Sequence, residues 1–305
     1  MQRLVNTFTV ILLITAGVVA ASANDKIKTK YRPTLQDMEV LSEKLIELES
    51  KELSTIDDLR DYMKQVEDFA LDYYRGDMFS MGRNAVAFKA LGEVEKYADD
   101  VKASGSTRDM MDCGFLHTSI HHYNTILNIE QLGIKFKQNR VVTDETEAWL
   151  KLENTLNKYY AYSSYIFNQG GSMANLVASG SAWSLAEARY QDTYQLLKAR
   201  FSGFAIGARN ATSEDIIRKE ANNVVASLTA SANDLLDCDD SFKESPFYKE
   251  VSKGLSEACE NLKTDMDAWI SARLSMVICL EEQEIGTGET LKLLDNIKKI
   301  GEQEQ

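Results

Sequence analysis

Proline occurs only twice in 305 residues, at Pro33 and Pro246. Inside a helix each proline costs about 3 kcal/mol, so a chain that all but excludes it is free to form long helices. The apolar spacing asks for them. Leu35, Met38, Leu41, Leu45 and Leu48 recur at steps of three and four behind Pro33-Thr34, which reads as a helix with a sound entry. Ile56, Leu59, Met63, Val66 and Ala70 repeat the spacing behind Ser54-Thr55, with Asp57 and Asp58 in the first turn, where the helix dipole favours anions. The pattern returns over 82–101, 108–129, 143–167, 172–201, 213–236, 246–280 and 289–300. Breaks are expected at Ser104-Gly105-Ser106, Gly133, Gly170-Gly171, 203–207, Asp239-Asp240 and Gly286-Thr287-Gly288. No segment alternates with period two between hairpin turns. The spacing therefore predicts an all-α fold, a multi-helix bundle of long amphipathic helices. Residues 24–305 form one helical domain in this reading, or two lobes split near 170.

The N-terminus has a different logic. Arg3 precedes an apolar run over 8–20 that ends in Ala21-Ser22-Ala23. This is the pattern of a signal peptide, residues 1–23, cleaved before Asn24. The run is roughly 13 residues, short of the ~20 that span a bilayer, so an uncleaved anchor is disfavoured and no integral membrane association is expected. The expected product is secreted and extracellular. In that compartment Cys113, Cys238, Cys259 and Cys279 read as two disulfides stapling the bundle. Three connectivities are open, with a preference for Cys238–Cys259 and Cys113–Cys279. Asn210-Ala211-Thr212 is a glycosylation sequon.

Charge narrows the partners. The 47 acidic residues outnumber the 34 basic ones, for a formal charge of −13. A broadly basic nucleic-acid-binding surface is excluded on those numbers, and no nucleic acid is expected as partner. A membrane-surface role for the amphipathic helices is opposed by the same charge, which anionic lipid repels. Only the segment 134–219 leans basic, with 11 basic and 8 acidic residues. Lys135, Lys137, Arg140, Lys198 and Arg200 are its candidate polyanion-binding residues, against the alternative of a solvated mixed-charge surface.

The most pointed chemistry is a row of side chains. Cys113, His117 and His121 are four apart, and with His122 they include all three histidines of the chain. Steps of four advance about 40° around a helix, so the row shares one face. It is about 12 Å long, too far for a single ion, but His117 and His121 are suited to share a metal as an i, i+4 pair if another helix supplies two ligands. The alternative is a hydrogen-bonded histidine face with mild pH sensitivity. H-E-x-x-H is absent, since Thr118, Ser119 and Ile120 stand between the two.

An aromatic group follows. Trp149, Tyr159, Tyr160, Tyr162 and Tyr165 crowd one predicted helix and Trp183 the next. They line a ligand pocket between helices or fill the core. The glycine pairs complete no phosphate-binding loop, and no G-x-S-x-G elbow occurs. No catalytic residue is assigned and no cofactor is expected.

The stretch ELSTIDDLRDYMKQVEDFALDYYRGDM, with the signal peptide, a mass of 34.3 kDa, the acidic balance and the sparse cysteines, resembles the 34 kDa secreted salivary protein family of culicine mosquitoes. The resemblance covers the mature chain and carries no short catalytic motif. It implies a protein delivered into host skin during blood feeding. Such families act on haemostasis, inflammation or innate immunity and can favour virus transmission. The leading expectation is therefore a secreted, non-enzymatic effector that binds a host extracellular protein, glycan or small mediator. The alternative is a metal-dependent secreted enzyme using the His117/His121 face.

Overall fold

The computed structural model describes residues 34–73, 82–135, 139–199, 211–237 and 243–303. The expected signal peptide, Cys238, Lys137, Arg200, Asn210 and the breaks at 203–207 and Asp239-Asp240 lie outside them.

Among the described residues the chain is all-α, with nine α-helices packed as a bundle. We number them α1 (Leu35–Glu49), α2 (Ile56–Tyr73), α3 (Arg83–Tyr97), α4 (Thr107–Lys135), α5 (Asn139–Phe167), α6 (Ser172–Lys198), α7 (Ala211–Leu236), α8 (Pro246–Val277) and α9 (Gln283–Gln303). Between α3 and α4 the backbone widens into a π-helical turn, Ala98–Lys102. None of the described helices is long and apolar enough to cross a membrane.

Helix starts follow from local chemistry. The Thr34 hydroxyl accepts the Asp37 N–H at 3.2 Å while the Asp37 carboxylate accepts the Thr34 N–H at 2.8 Å. Thr55 with Asp58 and Ser106 with Asp109 repeat this reciprocal cap, a capping box with aspartate in the acidic position. Ser245 caps α8 by accepting the Tyr248 N–H at 3.0 Å, and Pro246 occupies the first turn, where its missing N–H costs nothing. At the other end of α5, Gln169 and Gly170 take φ of 50° and 75°, so the chain reverses in the left-handed region.

Two expected breaks do not occur. Gly133 lies inside α4, and Gly286 and Gly288 lie inside α9. A helix tolerates glycine at about 1 kcal/mol, and Gly286 has a packing reason. A Cβ there would stand 2.7 Å from Leu280 Cδ1 and 2.9 Å from Val277 Cγ2, so glycine lets α9 fold back on the end of α8.

The apolar interior falls into two clusters. The first gathers Leu45, Tyr62, Val86, Val94, Leu116 and Tyr123 from α1 to α4. The second gathers Leu156, Leu185, Val224, Leu262, Trp269 and Ile297 from α5 to α9. Helices α5, α6 and α8 feed both, through Leu150, Leu196 and Met276 to the first and Trp149, Leu185 and Ile270 to the second. The most extensive contacts are α4 on α6 and α5 on α8.

Close approach of α5 and α8 depends on Gly254, where a Cβ would fall 2.4 Å from Tyr162 Cζ. We expect Gly254→Val to destabilise by about 1–3 kcal/mol through forced displacement of that ring. Urea unfolding followed by circular dichroism measures it, and a midpoint equal to the parent's would show that Tyr162 yields without cost.

Of the two expected bridges, Cys113–Cys279 is not seen, and Cys238–Cys259 falls on Cys238, outside the described residues. No disulfide is formed among the described residues, and Cys113 and Cys279 are not joined. Both are buried at the first cluster, on α4 and just after α8. Cys113 lies beside Asp99 and His117.

Candidate functional site

The π-helical turn and α4 meet around the histidine row. Ala103 N–H reaches the Ala98 carbonyl at 2.9 Å, the wide spacing of a π turn. Lys102 ties this turn to α4 through Asp109 at 2.9 Å and Asp112 at 3.5 Å. Asp99, on the turn, is thereby set over Cys113 and His117, one helical turn apart on α4. Asp99 Oδ1 is 3.0 Å from His117 Nε2. One ligating atom each from Asp99, Cys113 and His117 lie within 4.8 Å of one another, the only such group of three among the described residues. Cys113 and His117 are each 5% exposed, whereas the Asp99 side chain is 60% exposed. Burial first, and then the Asp99 carboxylate, push the Cys113 thiol up. The His117 ring lies flat on Trp183 of α6, centroids 4.1 Å apart.

The other two histidines go elsewhere. His121 turns to Tyr190, ring centroids 5.6 Å apart, and its Nδ1 is buried without a partner among the described residues. Burial, with His117 and His122 nearby, lowers its pKa to about 4, so the ring is neutral. His122 is held at both nitrogens, by Glu49 of α1 at 3.0 Å and Glu153 of α5 at 3.2 Å. Burial alone would discharge it, but the two carboxylates outweigh that and raise its pKa well above the ordinary value. The Tyr62 hydroxyl donates to the other Glu49 oxygen, and Trp149 Nε1 donates to Glu153 at 3.0 Å. The expected His117/His121 pair is thus divided: His117 groups with Cys113 and Asp99, and His121 packs on an aromatic ring.

The six aromatic candidates are divided too. Trp149, Tyr159 and Tyr160 are 1–2% exposed and belong to the second cluster. Tyr159 and Tyr160 donate to the Leu228 and Ile297 carbonyls, each at 2.8 Å, so their hydroxyls tie α5 to α7 and α9. Tyr162 packs on Gly254, and Tyr165 donates to Asn175 and meets Phe247 edge to face at 5.9 Å. Trp183 stands apart, on His117. A shallow cleft of about 90 Å³ lies away from all six, at Ile56, Arg60, Glu130 and Val142, and is below the size of ordinary small-molecule sites.

Of the basic candidates, Arg140 faces Asp144 at 3.6 Å, and the exposed Lys198 lies 4.1 Å over the Tyr194 ring and reaches Gln195. Lys135 ends α4. The structure does not bring Arg140 and Lys198 into one described cluster.

A buried network escaped the sequence reading. Arg189 of α6 donates to both Glu145 oxygens, at 3.0 and 2.6 Å, and to Asp192 at 2.8 Å. Arg273 of α8 donates to Glu145 at 3.3 Å, to Asp192, and through Nε to Thr290 of α9 at 3.0 Å. Trp269 Nε1 adds 2.9 Å to Glu145. All four charged side chains are at most 2% exposed. Burial would raise the Glu145 pKa, but the two guanidinium groups outweigh it and hold the carboxyl below its usual range. Arg189 and Asp192 interrupting the apolar stripe of Leu185, Ala188 and Leu196 was the available signal.

Compared with models of protein families, with curated proteins and with solved structures, the chain matches none.

Proposed function

We propose that the chain is a secreted, non-enzymatic salivary effector of the kind its sequence resembles, acting by binding a host extracellular factor and so modulating haemostasis, inflammation or innate immunity at the feeding site. One observation carries the reading. Where α5 turns into α6, Phe167 and Met173 are 51% and 54% exposed, and Phe247 at the start of α8 is 40% exposed. Phe247 lies against Gly170, which a Cβ would bring within 2.7 Å of its ring. The turn, capped by the Gly170 N–H to Tyr165 carbonyl bond of 2.9 Å, supports these apolar groups at one end of the bundle. Exposed aromatic and methionine side chains are enriched at the centres of protein interfaces. This favours a host protein over a small mediator or a glycan.

The test is retention of host skin and plasma proteins on the purified protein at two salt concentrations, followed by titration of the retained partner. We expect saturable binding that persists at the higher salt, because apolar contact is not screened. Phe167→Ser with Met173→Ser is expected to weaken it by about 2 kcal/mol or more, some 30-fold, with helicity unchanged. Retention that vanishes at higher salt and survives the double substitution would move the binding surface to the basic segment. No saturable partner at either salt would sink the reading.

A further inference from the structure

The geometry points to a zinc-class metal site formed by Asp99, Cys113 and His117, with its fourth position open to solvent. The three donors come from two separately positioned elements. Cys113 and His117 are an i, i+4 pair on α4, and Asp99 descends on them from the π-helical turn. Their ligating atoms lie within 4.8 Å of one another. A thiolate, an imidazole and a carboxylate bound to one tetrahedral ion at about 2.0–2.3 Å stand roughly 3.2–3.7 Å apart, so side-chain rotation has at most about 1.1–1.6 Å to close. The chemistry selects the ion: a thiolate with an imidazole suits zinc and disfavours magnesium or calcium.

Two features beyond the donor set favour a ligand here. π-helical turns are rare and occur frequently at functional positions, and Asp99 lies on this one. The His117 ring is also pre-oriented, held flat on Trp183 at 4.1 Å with its Nε2 aimed at Asp99. The contact between His117 Nε2 and Asp99 lies where the ion would go. A metal needs the Nε2 lone pair, so the bound imidazole carries its single proton on Nδ1, any proton held at Nε2 passes to Nδ1 by way of solvent, and Cys113 releases its thiol proton to solvent. The exposed Asp99 side chain leaves the fourth position to water.

Cobalt(II) is the probe. The purified full chain is reduced, stripped with chelator and titrated. We expect one equivalent of cobalt to give a thiolate-to-metal charge-transfer band that zinc abolishes by displacement. Cys113→Ser is expected to lose the band, and Asp99→Asn and His117→Gln to weaken zinc at least the ~10-fold that loss of a supporting contact costs elsewhere. His121→Gln leaves the titration unchanged. Saturating zinc raises the thermal midpoint of the parent and not of Cys113→Ser, and circular dichroism verifies that each variant is folded. Absence of the band from the folded, reduced parent overturns the site. So does a band that survives Cys113→Ser, an equal loss in His121→Gln, or Cys113 found by peptide mapping in a disulfide of the secreted protein.

Discussion

Replacing Glu145 by alanine is expected to cost about 3–5 kcal/mol of stability, the range for removing one partner of a buried ion pair. The reason is what remains. Glu145 accepts from Arg189, Arg273 and Trp269 at once, in a site where every charged member is at most 2% exposed. With it gone, two guanidinium groups share the single carboxylate of Asp192. Because the network links α5, α6, α8 and, through Thr290, α9, the loss is expected to loosen the whole second cluster. Urea unfolding of parent and Glu145→Ala measures it; a difference under about 1 kcal/mol would show that the network is dispensable. Glu145→Gln keeps an acceptor and the shape of the side chain, and is expected to fall between the two.

His122→Gln is the second substitution with a large expected effect, and its signature is pH. The imidazole is enclosed by Glu49 and Glu153, with the Tyr62 ring 6.2 Å away and His121 beside it in sequence. Those carboxylates raise its folded pKa well above 6.5. A histidine whose pKa rises on folding contributes its full stability below the unfolded value and loses it as pH climbs through the folded one. The gap between parent and His122→Gln is therefore expected to be widest below pH 6.5, at about 3–5 kcal/mol for a broken buried pair, and to narrow above it. His121 works in the opposite sense. Its pKa falls from 6.5 to about 4, so its contribution is complete above pH 6.5 and is lost as pH drops toward 4, where the unfolded chain takes up the proton first. His121→Gln should flatten the acid limb and leave the alkaline limb alone. Unfolding free energies at pH 4 to 9 distinguish the two, and parallel curves for parent and His122→Gln would mean that the ring is not charged in the folded protein.

These two histidines show where sequence reading stops. They are adjacent and chemically identical in the chain, and they titrate in opposite directions because one meets carboxylates 73 and 31 residues away while the other meets Tyr190. The row Cys113, His117, His121 was visible as a helix face, but Asp99, its strongest neighbour, entered only through a π turn that no spacing announced. The aromatic crowd was visible as well. Its division into fully buried members and half-buried neighbours depended on which helix lay against each face.

What the sequence determined by itself was the set of helices and most of their ends. Scarce proline, apolar residues at three and four, and the caps at Thr34, Thr55, Ser106 and Ser245 are all decided within one or two turns, where the hydrogen bond and its partner are at most four residues apart. Gly286 marks the edge of that rule, for its breaking tendency was overruled by the close fit of α9 on Leu280 and Val277. Tertiary structure alone decided the charge network, the fate of each histidine, whether Cys113 and Cys279 are joined and the exposed apolar end. Each of those is a contact between helices, and the free energy of pairing a buried charge or filling a gap depends on the partner that long-range packing delivers, not on the residues next to it in the chain.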